Sequence, residues 1–141
     1  MTLRKPIRKQ LHDVVIAYAA NLRGVGVAYA AIAGDEEPRR IAFHADRYPA
    51  LTGWEVSYAA LLAVTSALRA EGFRSLRIGI ADERIVSDLE RRRPLPQALA
   101  LLYVQLKCRL NMFSRIDIIV RKAPDDLEAR ARAEVELAVA A

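Results

Sequence analysis

The sequence predicts an α/β domain with a five-stranded mixed sheet, a three-stranded antiparallel meander plus two parallel strands, flanked by about four helices. Three observations predict it. The chain opens with three β-rich runs separated by turn sequences, Arg23-Gly24 and Gly34-Asp35-Glu36-Glu37-Pro38. From residue 52 the apolar spacing changes to three and four residues, the helical period. Two later strand-like runs then alternate with helices, an order that places parallel strands under helical cover.

Each element has its own signal. Residues 1–12 are basic, carry no acidic side chain and read as a flexible arm containing Arg4, Lys5, Arg8 and Lys9. The single domain then spans 13–141. Residues 14–21 and 25–33 are apolar and β-rich. Residues 39–47 form a third strand in which Ile41 and Phe43 alternate with Arg40 and His44. Thr52 and Glu55 have capping-box spacing, and Ala60, Leu61, Val64 and Leu68 continue the helix towards Gly72. Residues 76–81 alternate as a strand that ends at Asp82. A short helix covers 83–93 before Pro94. A longer one covers 96–112, with Leu99, Leu102, Leu106 and Leu110 on one stripe. Residues 116–120 are the fifth strand. Pro124 and Asp125 open a last helix with Leu127, Ala131 and Val135 on one face.

Composition bounds the function. A chain of 141 residues, 53% hydrophobic and 28% charged, forms one packed domain. Lys and Arg outnumber Asp and Glu by 22 to 17, which gives +5 and admits a polyanion such as nucleic acid as partner. One cysteine and two histidines exclude a disulfide framework, a Cys-rich zinc site and a multi-histidine metal centre. No apolar run reaches the roughly 18 residues that span a bilayer, so no membrane is expected as partner. The run 14–20 follows basic residues as a signal core does, but it is short and Asp13 sits at its edge, so it reads as a buried strand. A cytoplasmic location is the expectation, consistent with a free thiol.

Single residues admit plain readings first. Cys108, among Val104, Leu106 and Leu110, reads as a buried structural thiol, and His44 has no metal-ligand spacing. Leu101, Leu102, Tyr103 and Val104 make the 95–113 helix apolar nearly all round. Such a helix is either central in the core or covered by a second subunit, so a homodimer through it is one expectation.

The order of motifs resembles the ribonuclease H family along roughly 13–140. Ser57-Tyr58-Ala59-Ala60-Leu61-Leu62-Ala63 is similar to that family's first helix, written E-x-x-A-x-x-x-A-L. Leu76-Arg77-Ile78-Gly79-Ile80-Ala81-Asp82 resembles the strand that ends on a catalytic aspartate. Ile85-Val86-Ser87-Asp88-Leu89 resembles the helix after it, and 118–133 resembles the closing strand, turn and helix. The resemblance implies cleavage of RNA in RNA/DNA hybrids by four carboxylates that gather two magnesium ions.

Matched onto this chain, three of those acids are missing. Ala19, Ser57 and Ala129 fall at three of the places, and Asp82 alone is retained, as catalytic and metal-binding candidate. Glu55, Asp125 and Glu128 are displaced candidates; their plain roles are helix-start charges, and two residues separate Glu55 from Ser57, about 200° around a helix. Gly53 and Trp54 stand where the family reads sugar hydroxyls with paired asparagines. Trp54 is either a stacking platform or a packing staple. Arg91, Arg92 and Arg93 are either phosphate contacts or a solvated helix end. The expectation is a catalytically degenerate domain that binds nucleic acid, hybrid or single-stranded, or a protein partner, with no cofactor. The alternatives are an active nuclease that uses displaced acids with Mg²⁺ or Mn²⁺, and a homodimeric scaffold.

Overall fold

A computed structural model describes residues 10–45, 53–90 and 94–140, with side chains through 137. The elements run β1 (Leu11–Ala20), β2 (Val25–Ile32), β3 (Arg39–His44), α1 (Gly53–Ala70), β4 (Ser75–Ile80), α2 (Glu83–Leu89), α3 (Ala100–Leu110), β5 (Arg115–Val120) and α4 (Asp125–Ala140). The five strands form one sheet in the order β3-β2-β1-β4-β5. β1–β2 and β2–β3 are antiparallel, while β1–β4 and β4–β5 are parallel. This is the mixed sheet that the turn spacing and the change of period predict.

The pleat distributes β1 between two cores. Val14, Ile16 and Tyr18 face the larger one, with Leu61, Val64 and Leu68 of α1 and Ile78 and Ile80 of β4. Val15, Ala17 and Ala19 face the smaller one, with Leu127, Ala131 and Val135 of α4. A run apolar on both faces is the mark of a central strand covered on both sides. Small alanines on the α4 side let that helix lie close to the sheet. Gly24 closes the β1–β2 turn at φ +85°, and a Cβ there would stand 2.1 Å from the Ala45 carbonyl oxygen. Only glycine fits.

Four expectations are corrected. β1 begins at Leu11, inside the segment read as an arm, because β4 offers Ser75 and Leu76 as parallel partners to Leu11 and His12. Arm residues 1–9 lie outside the described residues, as do Thr52 and Arg91, Arg92 and Arg93. The predicted 96–112 helix is broken into a 3-10 turn at Gln97–Leu99 and α3, the turn following directly on Pro96. α3 is not central: it packs on α1 and α2 with Leu106 as its buried residue, and Leu101 and Val104 are 66% and 54% exposed. For the same reason Cys108 is exposed and not a core thiol. No described helix is long and apolar enough to cross a membrane.

A buried polar clamp joins α1 to α2. Asp88 is buried, and its Oδ2 accepts from Trp54 Nε1 at 2.9 Å and from the Tyr58 hydroxyl at 2.8 Å. Burial, reinforced by Asp88, holds the Tyr58 hydroxyl far above the ordinary tyrosine range, so it stays a donor. Asp88→Ala leaves both donors without this acceptor and is expected to lower stability by about 2–4 kcal/mol in urea unfolding. Asp88→Asn, which keeps an acceptor oxygen, is expected to lose less. Equal losses in the two variants would show that packing alone joins the helices.

Candidate functional site

The site lies at the C-terminal ends of the adjacent parallel strands β1 and β4. Val15 pairs with Gly79 in register, so three residues further on Tyr18 and Asp82 come level. The first turns of α1 then bring Ser57 between them. Ligands of open sheets with parallel strands gather at such strand ends, because backbones diverge there and loops leave a crevice.

A chain of hydrogen bonds links these side chains. The Tyr18 hydroxyl lies 2.5 Å from Ser57 Oγ, and Ser57 Oγ lies 2.6 Å from Asp82 Oδ2. Ser57 has one hydroxyl proton, and the carboxylate is the strongest acceptor in reach. Ser57 therefore donates to Asp82, and Tyr18 donates to Ser57. Burial pushes the Tyr18 hydroxyl up to about 12, against the opposing bond to Ser57, so it keeps its proton at neutral pH.

Arg84 completes the cluster. Its Nε donates to Asp82 Oδ1 at 2.9 Å and its Nη2 to Oδ2 at 2.8 Å, a two-pronged ion pair. The Arg84 backbone N–H also donates to Oδ1 at 3.0 Å, making Asp82 the N-cap of α2. The guanidinium stacks over the Trp54 ring at 5.4 Å. Burial acts to raise the Asp82 carboxyl, but the bonds from Arg84 and Ser57 outweigh it and hold the carboxyl below its ordinary value.

The remaining candidates are dispersed. Glu55 is buried on the opposite side of α1 from Ser57, in a cavity of about 430 Å³ shared with Phe43, His44, Leu102 and Arg109. Burial raises its carboxyl. Asp125 is exposed and pairs with Lys122, and Glu128 pairs along α4 with Arg132. Glu128 is near enough to act electrostatically on Tyr18, yet it has no bond to Asp82 among those of the described residues. Trp54 is half-buried between Arg84 and Asp88.

Two of the residues at this site were missed in the sequence. The β1 residue linked to Asp82, through Ser57, is Tyr18, whereas Ala19, matched to the first acid, faces α4. A one-residue shift on a strand exchanges the two faces of the sheet, and the alternation Val14, Ile16, Tyr18 was the available signal. Arg84 follows an N-cap aspartate by two residues, close enough to fold back on it.

The resemblance implies a magnesium or manganese pair, and the donors present do not fit one. Paired hard cations need several carboxylate oxygens around a net negative cradle. Here a tyrosine, a serine and an arginine surround one carboxylate, and the cluster carries no net charge. Among the described residues no three His, Cys, Asp or Glu side chains group to hold a metal.

The ion pair has a pH signature. Asp82 lies below its unfolded value, so its contribution is present above the unfolded carboxyl range of about 4 and is lost as pH falls through the folded value. Arg84→Ala is expected to raise the Asp82 carboxyl and to lower stability at pH 7 by about 1–2 kcal/mol, a figure reduced for the solvent-exposed half of the arginine. That loss shrinks below about pH 4, where the carboxyl protonates. Carbon-13 titration of Asp82 with urea unfolding at pH 7 and pH 3 checks it; an unmoved titration would show that Arg84 does not hold the carboxylate in solution.

No protein-family profile matches this chain, and no curated protein matches it. Solved structures do. The RNase H1 of the halophilic archaeon Halobacterium salinarum NRC-1 superposes with a TM-score of 0.67 at 18% identity, covering 88% of this chain and 93% of that one. The N-terminal RNase H domain of a Mycobacterium tuberculosis protein gives 0.65 at 18% identity, covering 91% and 96%. LC11-RNase H1, solved in complex with an RNA/DNA hybrid, gives 0.61 at 14% identity, covering 86% and 91%. With its β3-β2-β1-β4-β5 sheet and flanking helices, the chain has the ribonuclease H fold.

Proposed function

We propose that this chain is a ribonuclease H-fold domain that binds nucleic acid without cutting it. The observation that carries this reading is the Arg84 guanidinium clamped on Asp82. A cation already sits on the one retained family acid, and the other side chains that meet it are hydroxyls. Three features support nucleic acid as the ligand: the net charge of +5, the crevice at the strand ends, and the fold shared with a protein crystallised on an RNA/DNA hybrid. Arg91, Arg92 and Arg93 remain candidate phosphate contacts on this reading. No cofactor is part of it; Mg²⁺ or Mn²⁺ would enter only if the domain cut, with Glu55, Asp125 or Glu128 joining Asp82. An exposed, free Cys108 suits a reducing compartment, so we place the domain in the cytoplasm.

The test is anisotropy of labelled RNA/DNA hybrid, duplex DNA and single strands in Mg²⁺, followed by a denaturing gel of the same samples. Binding that weakens steeply between low and moderate salt, with every strand intact, is expected. Cut RNA that disappears in Asp82→Asn would replace this reading with the nuclease.

One observation favours a second reading, a homodimeric structural scaffold paired through the 95–113 helix. Leu101 and Val104 project from α3 into solvent, beside the cavity that holds Glu55. On that reading sedimentation gives a dimer mass, and Leu101→Glu with Val104→Glu returns a folded monomer. A monomer at high concentration in the unsubstituted protein would exclude it.

A further inference from the structure

The reading as a nucleic-acid binder leaves open what meets the backbone at the strand ends, and there we propose that Arg84 is a phosphate contact: the guanidinium held on Asp82 grips a phosphodiester of the bound strand. The inference rests on that reading and deepens it.

Three features of Arg84 carry it. Nε and Nη2 are directed at Asp82, so Nη1 and the second N–H of Nη2 are turned away from the carboxylate. The side chain is 43% exposed, whereas that of Asp82 is 9% exposed, so the pair shows solvent its cation and hides its anion. The plane is fixed as well: Asp82 holds one edge, Trp54 covers a face, and Nη2 comes within 3.4 Å of where a Cβ on Gly53 would stand. A planar fork fixed in advance binds phosphate with little further ordering cost.

The surroundings suit an extended backbone. Tyr18 and Gly53, which border the cluster, also line a groove of about 800 Å³ that runs along the end of β1 to Arg23 and Arg132. Glu136 is the acid on its wall. A strand that leaves Arg84 past Tyr18 and Gly53 enters this groove and runs towards Arg23 and towards Arg132, which pairs with Glu128.

Asp82 has a distinctive part here. It positions Arg84, and it also competes with phosphate for the same charge. Asp82→Asn keeps an acceptor oxygen for the cap and removes the competing charge. It is therefore expected to tighten hybrid binding severalfold, whereas a purely structural role for the pair would loosen it.

The experiment is anisotropy of labelled RNA/DNA hybrid across a salt series with four proteins: unsubstituted, Arg84→Met, Asp82→Asn and the double variant. Thermal melts report folding, and the double variant, which carries no unpaired charge, stands in if Arg84→Met does not fold. Arg84→Met is expected to bind about five- to tenfold more weakly, with a salt slope shallower by about one phosphate contact. Unchanged affinity and slope in a folded Arg84→Met or double variant, beside an unsubstituted protein that binds, would overturn this inference alone. Loss of affinity in folded Asp82→Asn would also overturn it. An unsubstituted protein that does not bind at low salt would overturn the nucleic-acid reading itself, and this contact with it.

Discussion

One carboxylate holds the candidate site together. Asp82 caps α2, accepts from Ser57 on α1 and pairs with Arg84; through Ser57 it reaches Tyr18 on β1. The parallel pairing of β1 with β4 makes this possible, because it brings two strand ends level on the same edge. In the larger core, Tyr58 and Trp54 of α1 meet Asp88 of α2, which sets the angle at which the helices approach the strand ends. The cluster therefore depends on a polar clamp one turn away and on sheet register below it.

Charge balance decides what such a site does. A two-cation hydrolytic centre needs an excess of negative charge, held rigid against its own repulsion until the ions neutralise it. The cluster here is neutral without any ion. Its hydrogen bonds run in one direction, from Tyr18 through Ser57 to Asp82, and Arg84 supplies the positive charge from within the chain. The charges of these four side chains balance among themselves. The positive group is also more exposed than its partner, so what faces solvent is a donor.

The fold was legible in the sequence because its signals are local and periodic. Gly34 through Pro38 marked a hairpin, the spacing Leu61, Val64, Leu68 marked α1, and Leu76, Ile78, Ile80 marked β4. The ends were less legible. Leu11 joins β1 because Ser75 lies beside it, and no local signal announces a partner more than sixty residues away. α3 misled for a related reason: Leu101 and Val104 are apolar yet exposed, so hydrophobicity read along the chain could not tell a buried belt from an uncovered one. Asp82 was visible as a candidate because it follows directly on a strand-like run. Tyr18 was not, since a shift of one residue between it and Ala19 exchanges the two faces of the sheet.

Arg84 shows why the site was harder to read than the fold. Its role comes from three neighbours on different elements: the carboxylate of Asp82, the ring of Trp54 and the bare Cα of Gly53. In sequence it is one arginine among many in a basic chain. In space it is the one paired through two N–H groups with the carboxylate that caps α2, beside the Trp54 ring. Carboxylates in place of the Tyr18 and Ser57 hydroxyls would compete with Asp82 for that guanidinium and leave an uncompensated negative charge. With hydroxyls there, Tyr18 and Ser57 each donate along the chain to Asp82, and the arginine keeps its outward edge. The identities at 18, 57 and 84 are therefore mutually consistent, and an acid introduced at 18 or 57 would be disfavoured unless the others changed with it.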